Sequence, residues 1–126
     1  MIDPLKQSSG QAPVRRYPRM AAEYAVAFRR LPAGGAETAA QFSRTRTLGL
    51  GGLMFETEKP LDHGETLRLE IVLGEKTIKT TGVVVYVDRQ DGGPWRNGVQ
   101  FTEISEDDRD ALLSAYLQQE FRIDPA

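Results

Sequence analysis

The run "TLRLEIVL" at residues 66–73 does most to limit what this chain can fold into. Leu67, Leu69, Ile71 and Leu73 recur at every second position, separated by Arg68, Glu70 and Val72. A period of two places all four leucine and isoleucine side chains on one face of a strand, and no helix does that. "GEK" at 74–76 supplies a short hairpin loop. "TIKTTGVVVYVD" at 77–88 is rich in β-branched residues and predicts the returning strand. The same period appears earlier, where Tyr24, Val26 and Phe28 share a face against Glu23, Ala25 and Ala27. A second strand is expected over 38–47, another after the glycines of "LGLGGLMFET" with Leu53 and Phe55 inward, and a last one in "GVQFTEI" at 98–104. "LPAGGAE" (31–37), Pro60 with "DHG" (62–64), and "RQDGGPWRN" (89–97) read as turns and loops.

After Ile104 the period changes. Ser105 is an N-cap residue, Asp108 stands at the acidic position of a capping box, and Glu106, Asp107 and Asp108 suit the positive end of a helix dipole. Leu112, Leu113, Tyr116, Leu117 and Phe121 form an apolar stripe, so Leu112, Leu113, Tyr116 and Leu117 are expected to pack on the sheet. Six short strands without intervening helices, then one helix, predict an all-β fold with a C-terminal helix: a six-stranded antiparallel β-barrel. Closure also removes the free edges that a small sheet must otherwise protect. The expected division is a flexible tail at 1–13, a single domain at 14–121 and a short tail at 122–126.

Composition excludes several function classes. The 126 residues contain no cysteine, so disulfides and thiol chemistry are absent. The start "MIDPLKQSSG" lacks the apolar run of a signal peptide, and no stretch approaches the roughly 20 apolar residues that span a bilayer, which predicts a cytoplasmic protein without a membrane span. The formal charge of −2 conceals an asymmetry. Residues 1–30 carry six cationic side chains against two acids, and residues 103–126 carry seven acids against two arginines. That pattern suits a local anionic ligand better than a nucleic acid, which draws on a whole basic face.

Catalysis has little to draw on. His63 is the single histidine and falls in a turn. Without cysteine or a second histidine the usual zinc sites cannot be assembled, no "GxSxG" elbow is present, and Asp88 and Asp91 fit turn chemistry. The chain is therefore expected to be no enzyme and to hold no metal or cofactor. "GLGG" at 49–52 fails the dinucleotide fingerprint, because its third glycine would fall on Met54 and a strand follows in place of a helix.

The arginines are more informative. "VRRYPRM" places Arg15, Arg16 and Arg19 just ahead of the first predicted strand. Tyr17-Pro18 favours an extended backbone, which displays the guanidinium groups at fixed separation. Their planar donor forks suit phosphate and the edge of guanine. Arg15 and Arg19 form an "RxxxR" pair, "TLGLGGL" follows at 47–53, and "NGVQFTEISEDDRDAL" at 97–112 closes the sheet and opens the helix.

In this order the chain resembles the PilZ domain family, bacterial receptors for cyclic di-GMP, over roughly residues 14–121. The resemblance implies the same barrel and helix, and two ligand motifs, RxxxR and [D/N]xSxxG. The first is matched by Arg15 to Arg19. With its glycine set on Gly52, the second places Thr47 where the family has Asp or Asn and Gly49 where it has Ser, with Leu50 and Gly51 between. The implied ligand residues are Arg15, Arg16, Arg19, Thr47, Gly49, Gly51 and Gly52, with Arg44 and Arg46 as additional cations just upstream. Losing the acid and the serine would weaken binding by roughly one to three orders of magnitude, which Arg44 and Arg46 would partly offset. The resemblance implies a cyclic di-GMP receptor that signals to a downstream protein when its arginine segment becomes ordered. A degenerate domain that binds no nucleotide and serves as a protein adaptor is the alternative. A barrel for RNA or single-stranded DNA is less well supported, because Trp95 is the only tryptophan and no row of aromatics alternates with basic residues.

Overall fold

The computed structural model describes residues 19–21 and 23–121. The predicted tails at 1–13 and 122–126, and with them Arg15 and Arg16, lie outside the described residues. The described elements are β1 (Arg19–Ala21), β2 (Ala25–Leu31), β3 (Gln41–Gly49), β4 (Gly52–Thr57), β5 (Thr66–Leu73), β6 (Lys76–Arg89), β7 (Trp95–Ile104) and α1 (Glu106–Phe121). All strand pairs are antiparallel, in the order β3-β2-β5-β6-β7-β4, and β4 pairs back to β3. β4 takes one edge of β3, so β1 and β2 share the other: Ala21 faces Thr47 and Ala25 faces Arg44. β1 and β2 thus act as two parts of one barrel strand, and the result is a closed six-stranded antiparallel barrel. The first predicted strand therefore begins earlier than its hydrophobic pattern does, and Arg19 lies within the sheet.

Alternation carried the inward side chains correctly wherever the strands are regular. Val26, Phe28, Leu53, Phe55, Leu67, Leu69 and Ile71 are buried in one core with Leu48, Ile78, Val84 and Val99. Phe28 and Phe55 meet at its centre with ring centroids 4.8 Å apart. Full burial of side chains of this size contributes about 1.5–3 kcal/mol each before the entropy of ordering is counted.

The helix differs from expectation. Leu112 is buried, but Leu113 and Leu117 stand at the flank, 40% and 42% exposed. The inward face is instead Ala111, Leu112, Ala115 and Tyr116. Two alanines allow the helix axis to approach the barrel, a contribution that an apolar stripe scored by large side chains leaves out. The first turn is also fixed in rotation. Asp108 N–H donates to Ser105 Oγ at 3.1 Å, as an N-cap requires, but the Asp108 carboxylate accepts from Lys79 N–H at 3.1 Å and lies 3.5 Å from Lys76 Nζ. Asp108 therefore pins α1 to β6.

The predicted loop at 89–97 is shorter than its polar composition suggests. Arg89 is the last residue of β6, and Trp95, Arg96 and Asn97 already belong to β7. Asn97 is wholly buried, where its amide donates to Phe55 O at 3.3 Å and Thr57 Oγ1 at 3.0 Å and accepts from Leu61 N at 3.4 Å. An asparagine with these partners is a core residue despite its polarity.

The C-terminal part of β2 is tied to the turn before β5 by Arg30. Its guanidinium makes two hydrogen bonds to Glu65, Nε to Oε2 and Nη2 to Oε1, the second at 2.8 Å, and Asp62 N–H donates to Glu65 Oε1 at 2.8 Å. Burial by itself would push the Glu65 carboxyl up, but the Arg30 hydrogen bonds, the Asp62 N–H and the Arg30 charge together hold it below its ordinary 4.5. The Glu65 hydrogen bond is the main cause that raises Arg30 above its own usual value, against the opposing effect of burial. A lowered carboxyl pKa contributes stability that is complete above the unfolded value and disappears as pH falls through the folded one. Glu65→Gln is expected to cost on the order of 1 kcal/mol at neutral pH. The gap in melting temperature from wild type should close in acid, below the usual carboxylate range. A gap that stays constant on acidification contradicts this role.

Candidate functional site

Sheet register sets Arg19, the described end of the first predicted motif, beside the second. Arg19 faces Gly49, Met20 faces Leu48 and Ala21 faces Thr47, with opposed Cα atoms about 5 Å apart as antiparallel pairing requires. On the other edge of β3, Thr47 faces Met54 and Leu48 faces Leu53. The end of the arginine segment and the glycine corner are therefore neighbouring strands of one wall. Gly49 and Gly52 are buried and Gly51 is half-buried, with the Gly51 carbonyl accepting from Phe101 N at 2.8 Å. The glycines with left-handed backbones among the described residues are Gly34, Gly64, Gly74 and Gly92, all outside this corner.

A β-bulge decides which way Thr47 points. Between Thr45 and Thr47 the pairing with β4 advances by one residue on β4 and two on β3, leaving Arg46 as the extra residue. Thr45 is buried in the barrel and bonds Tyr24 N at 2.9 Å, and Leu48 is again inside. Thr47 lies opposite Met54, between the inward Leu53 and Phe55, and so faces the outer wall. Its Oγ1 is buried and has no hydrogen-bond partner among the described residues.

The two upstream arginines are already engaged with acids. Arg44 Nε stands 3.8 Å from Glu23 Oε1, and Arg46 Nη1 stands 3.2 Å from Glu56 Oε1. His63 is an exposed turn residue. No group of three or more metal-ligating side chains exists among the described residues, and no described helix is long and apolar enough to cross a membrane.

The outer wall also carries residues that sequence reasoning missed. Met54 faces Gly98 on β7, and Gly98 faces Tyr86 on β6, so Thr47, Met54, Gly98 and Tyr86 form one row across four strands. A Cβ built on Gly98 would stand 2.0 Å from Tyr86 Cε2, so the ring rests on the glycine backbone. Strict alternation would have put Tyr86 inside with Val84. A second bulge, between Val84 and Tyr86, turns it out. A separate hollow of about 460 Å³ is lined by Glu56, Thr57, Glu58, Arg89, Gly92, Gly93 and Pro94. It lies at the opposite end of β4 from Gly52, roughly 17 Å away, and gathers none of the predicted ligand residues. Its two glutamates suit a dianion poorly, and Arg89 sits 5.0 Å over the Trp95 ring.

The class that the fold defines is a closed small antiparallel barrel whose first described strand lies against a glycine corner on the outer wall. The chain belongs to the PilZ domain family, whose model matches residues 13–119. Solved structures agree in fold. The Bacillus subtilis inhibitor of motility (MotI/DgrA) is 23% identical with a TM-score of 0.72, covering 88% of this chain and 54% of its own. The PilZ domain of YcgR from Escherichia coli, solved with c-di-GMP, is 20% identical with a TM-score of 0.67, covering 89% and 98%. The MrkH–c-di-GMP complex of K. pneumonia is 20% identical with a TM-score of 0.66, covering 88% and 54%. This chain thus spans about half the length of the inhibitor of motility and of MrkH. No curated protein is found to match it by sequence.

The Tyr86–Gly98 contact yields a direct test of the outer row. Gly98→Ala should displace the ring and cost about 1–3 kcal/mol in chemical denaturation. In a Tyr86→Ala background the same change should be nearly neutral. Equal costs in both backgrounds would remove Tyr86 from the glycine shelf.

Proposed function

We propose that this chain is a cytoplasmic receptor for cyclic di-GMP, with residues 14–121 as one binding domain. The observation that carries the reading is the register of β1 on β3, which puts Arg19 opposite Gly49 and Ala21 opposite Thr47. Two structural neighbours, the YcgR PilZ domain and MrkH, are solved with c-di-GMP, which supports the ligand class. In this reading Arg15, Arg16 and Arg19 supply charge and guanine-edge donors, and Thr47 with Gly49, Gly51 and Gly52 forms the opposing wall. Arg44 and Arg46 add positive charge, and the Tyr86 ring offers a flat surface for a base.

The orphaned Thr47 hydroxyl bears on mechanism. A buried hydroxyl without a partner costs about 1–3 kcal/mol, so a ligand that engages it gains from relieving that cost. The hydroxyl is buried, so engagement requires the strands beside Thr47, β1 and β4, to rearrange. Binding is thereby coupled to the conformation of the arginine segment, and the signal is the changed surface offered to a downstream protein. The ligand is bound and released unchanged, with no metal or cofactor taking part. Nucleic acid is not proposed as a partner, because the single tryptophan is taken up by Arg89. The adaptor reading keeps one specific support, the replacement of the family's acid and serine by Thr47 and Gly49.

Calorimetric titration with cyclic di-GMP separates the two. Wild type should bind, and Arg19→Ala should lose about 1.5–3 kcal/mol, roughly ten- to a hundredfold. Thr47→Asp should tighten binding while lowering the stability of the free protein, because it buries a carboxylate. Added salt should weaken binding. No heat and no shift in melting temperature at millimolar ligand would leave the adaptor reading in place.

A further inference from the structure

The row of side chains next to Thr47, Met54, Gly98 and Tyr86 is a ladder of alternating charge. Arg96 faces both Asp88 on β6 and Glu56 on β4, and the bulged Arg46 lies beyond Glu56 on β3. Arg96 Nε is 2.7 Å from Asp88 Oδ1, and Arg46 Nη1 is 3.2 Å from Glu56 Oε1. On β4, β6 and β7 this row stands two residues from the Thr47 row, about 7 Å along the wall, and on β3 the bulged Arg46 is next to Thr47. Glu56 therefore stands between two guanidinium groups, ion-paired with one and register partner of the other.

Resting on the receptor reading above, we propose that Glu56 is an internal competitor that sets the affinity of the site. In the free protein it occupies Arg46. A phosphate of the bound nucleotide takes Arg46 in its place, and Glu56 passes to Arg96, its neighbour across the β4–β7 pair. The exchange is balanced in charge, because each guanidinium keeps one anionic partner and Asp88 remains in reach of Arg96 and solvent. The Arg46–Glu56 pair is half-exposed, with 51% and 29% of the side chains accessible. An ion pair of that kind is weak enough for a phosphate dianion to displace. Two features of the wall make the proposal specific. The bulge makes Arg46 the extra residue of β3, next to Thr47 in the chain. Glu58, an exposed acid two residues further along the chain, has no such pairing with Arg46 among the described ion pairs.

Four proteins titrated with cyclic di-GMP in low salt decide the matter: wild type, Glu56→Gln, Glu56→Gln with Arg46→Met, and Glu58→Gln, each checked for an unchanged melting transition. Glu56→Gln should bind about three- to tenfold more tightly than wild type. The gain should vanish when Arg46 is also replaced, and Glu58→Gln should show little of it. Equal affinity of wild type and Glu56→Gln overturns the competitor and leaves the receptor reading standing. An equal gain in Glu58→Gln overturns it too, since net charge alone would then explain the effect. Binding by Glu56→Gln where wild type shows none supports the competitor but leaves wild type with the adaptor reading, and absence of binding in all four folded proteins removes both proposals.

Discussion

β3 is hydrogen-bonded on both edges, and the rest of the molecule depends on that. β4 takes one edge and closes the barrel. β2 and β1 divide the other, at residues 41–44 and 47–49. The break between them is sealed by Thr45, whose N–H donates to Tyr24 O at 2.8 Å while its Oγ1 accepts from Tyr24 N. A buried threonine thus replaces ladder bonds that a break in the strand would otherwise leave unpaired. The same strand carries the core through Leu48 and the outer wall through Thr47, one residue apart. Barrel stability and site geometry are for this reason difficult to separate by mutation at residues 45–49.

Charge is distributed on the outer wall so that few cations stand alone. Glu37 lies between Arg29 and Arg68, which face each other directly across β2 and β5 and would repel without it. Glu65 and Asp62 serve Arg30, Glu56 serves Arg46, and Asp88 serves Arg96. A chain of net charge −2 can in this way hold several arginines close together without strong self-repulsion. In the proposed reading, a nucleotide competes with these internal acids for the arginines.

The regular part of this fold was legible and the bulged part was not. Leu67, Leu69 and Ile71 alternate without interruption, and their burial follows from period two alone. Tyr86 and Thr47 lie just after bulges, where one extra residue reverses the inside and outside faces. No residue type in "VVVYVD" or "SRTRTLG" marks those bulges. The helix was found by its cap and period, but its rotation was misjudged because Ala111 and Ala115 pack inward while Leu113 and Leu117 do not. Asn97 was assigned to a loop because its burial depends on partners at Phe55, Thr57 and Leu61, more than thirty residues away. Of the predicted site residues, Arg19 on β1 lies opposite Gly49 on β3 and Thr47 lies opposite Ala21, whereas Arg15 and Arg16 lie outside the described residues.

Amide hydrogen exchange with and without saturating cyclic di-GMP tests most directly whether the β1–β3 pairing is the ligand-responsive element. The account predicts slower exchange, by about tenfold or more, at residues 15–21 and 47–52 together, with little change in β5. Unchanged exchange at both segments in the ligand-bound protein, or protection confined to the loop at residues 90–94, would contradict it.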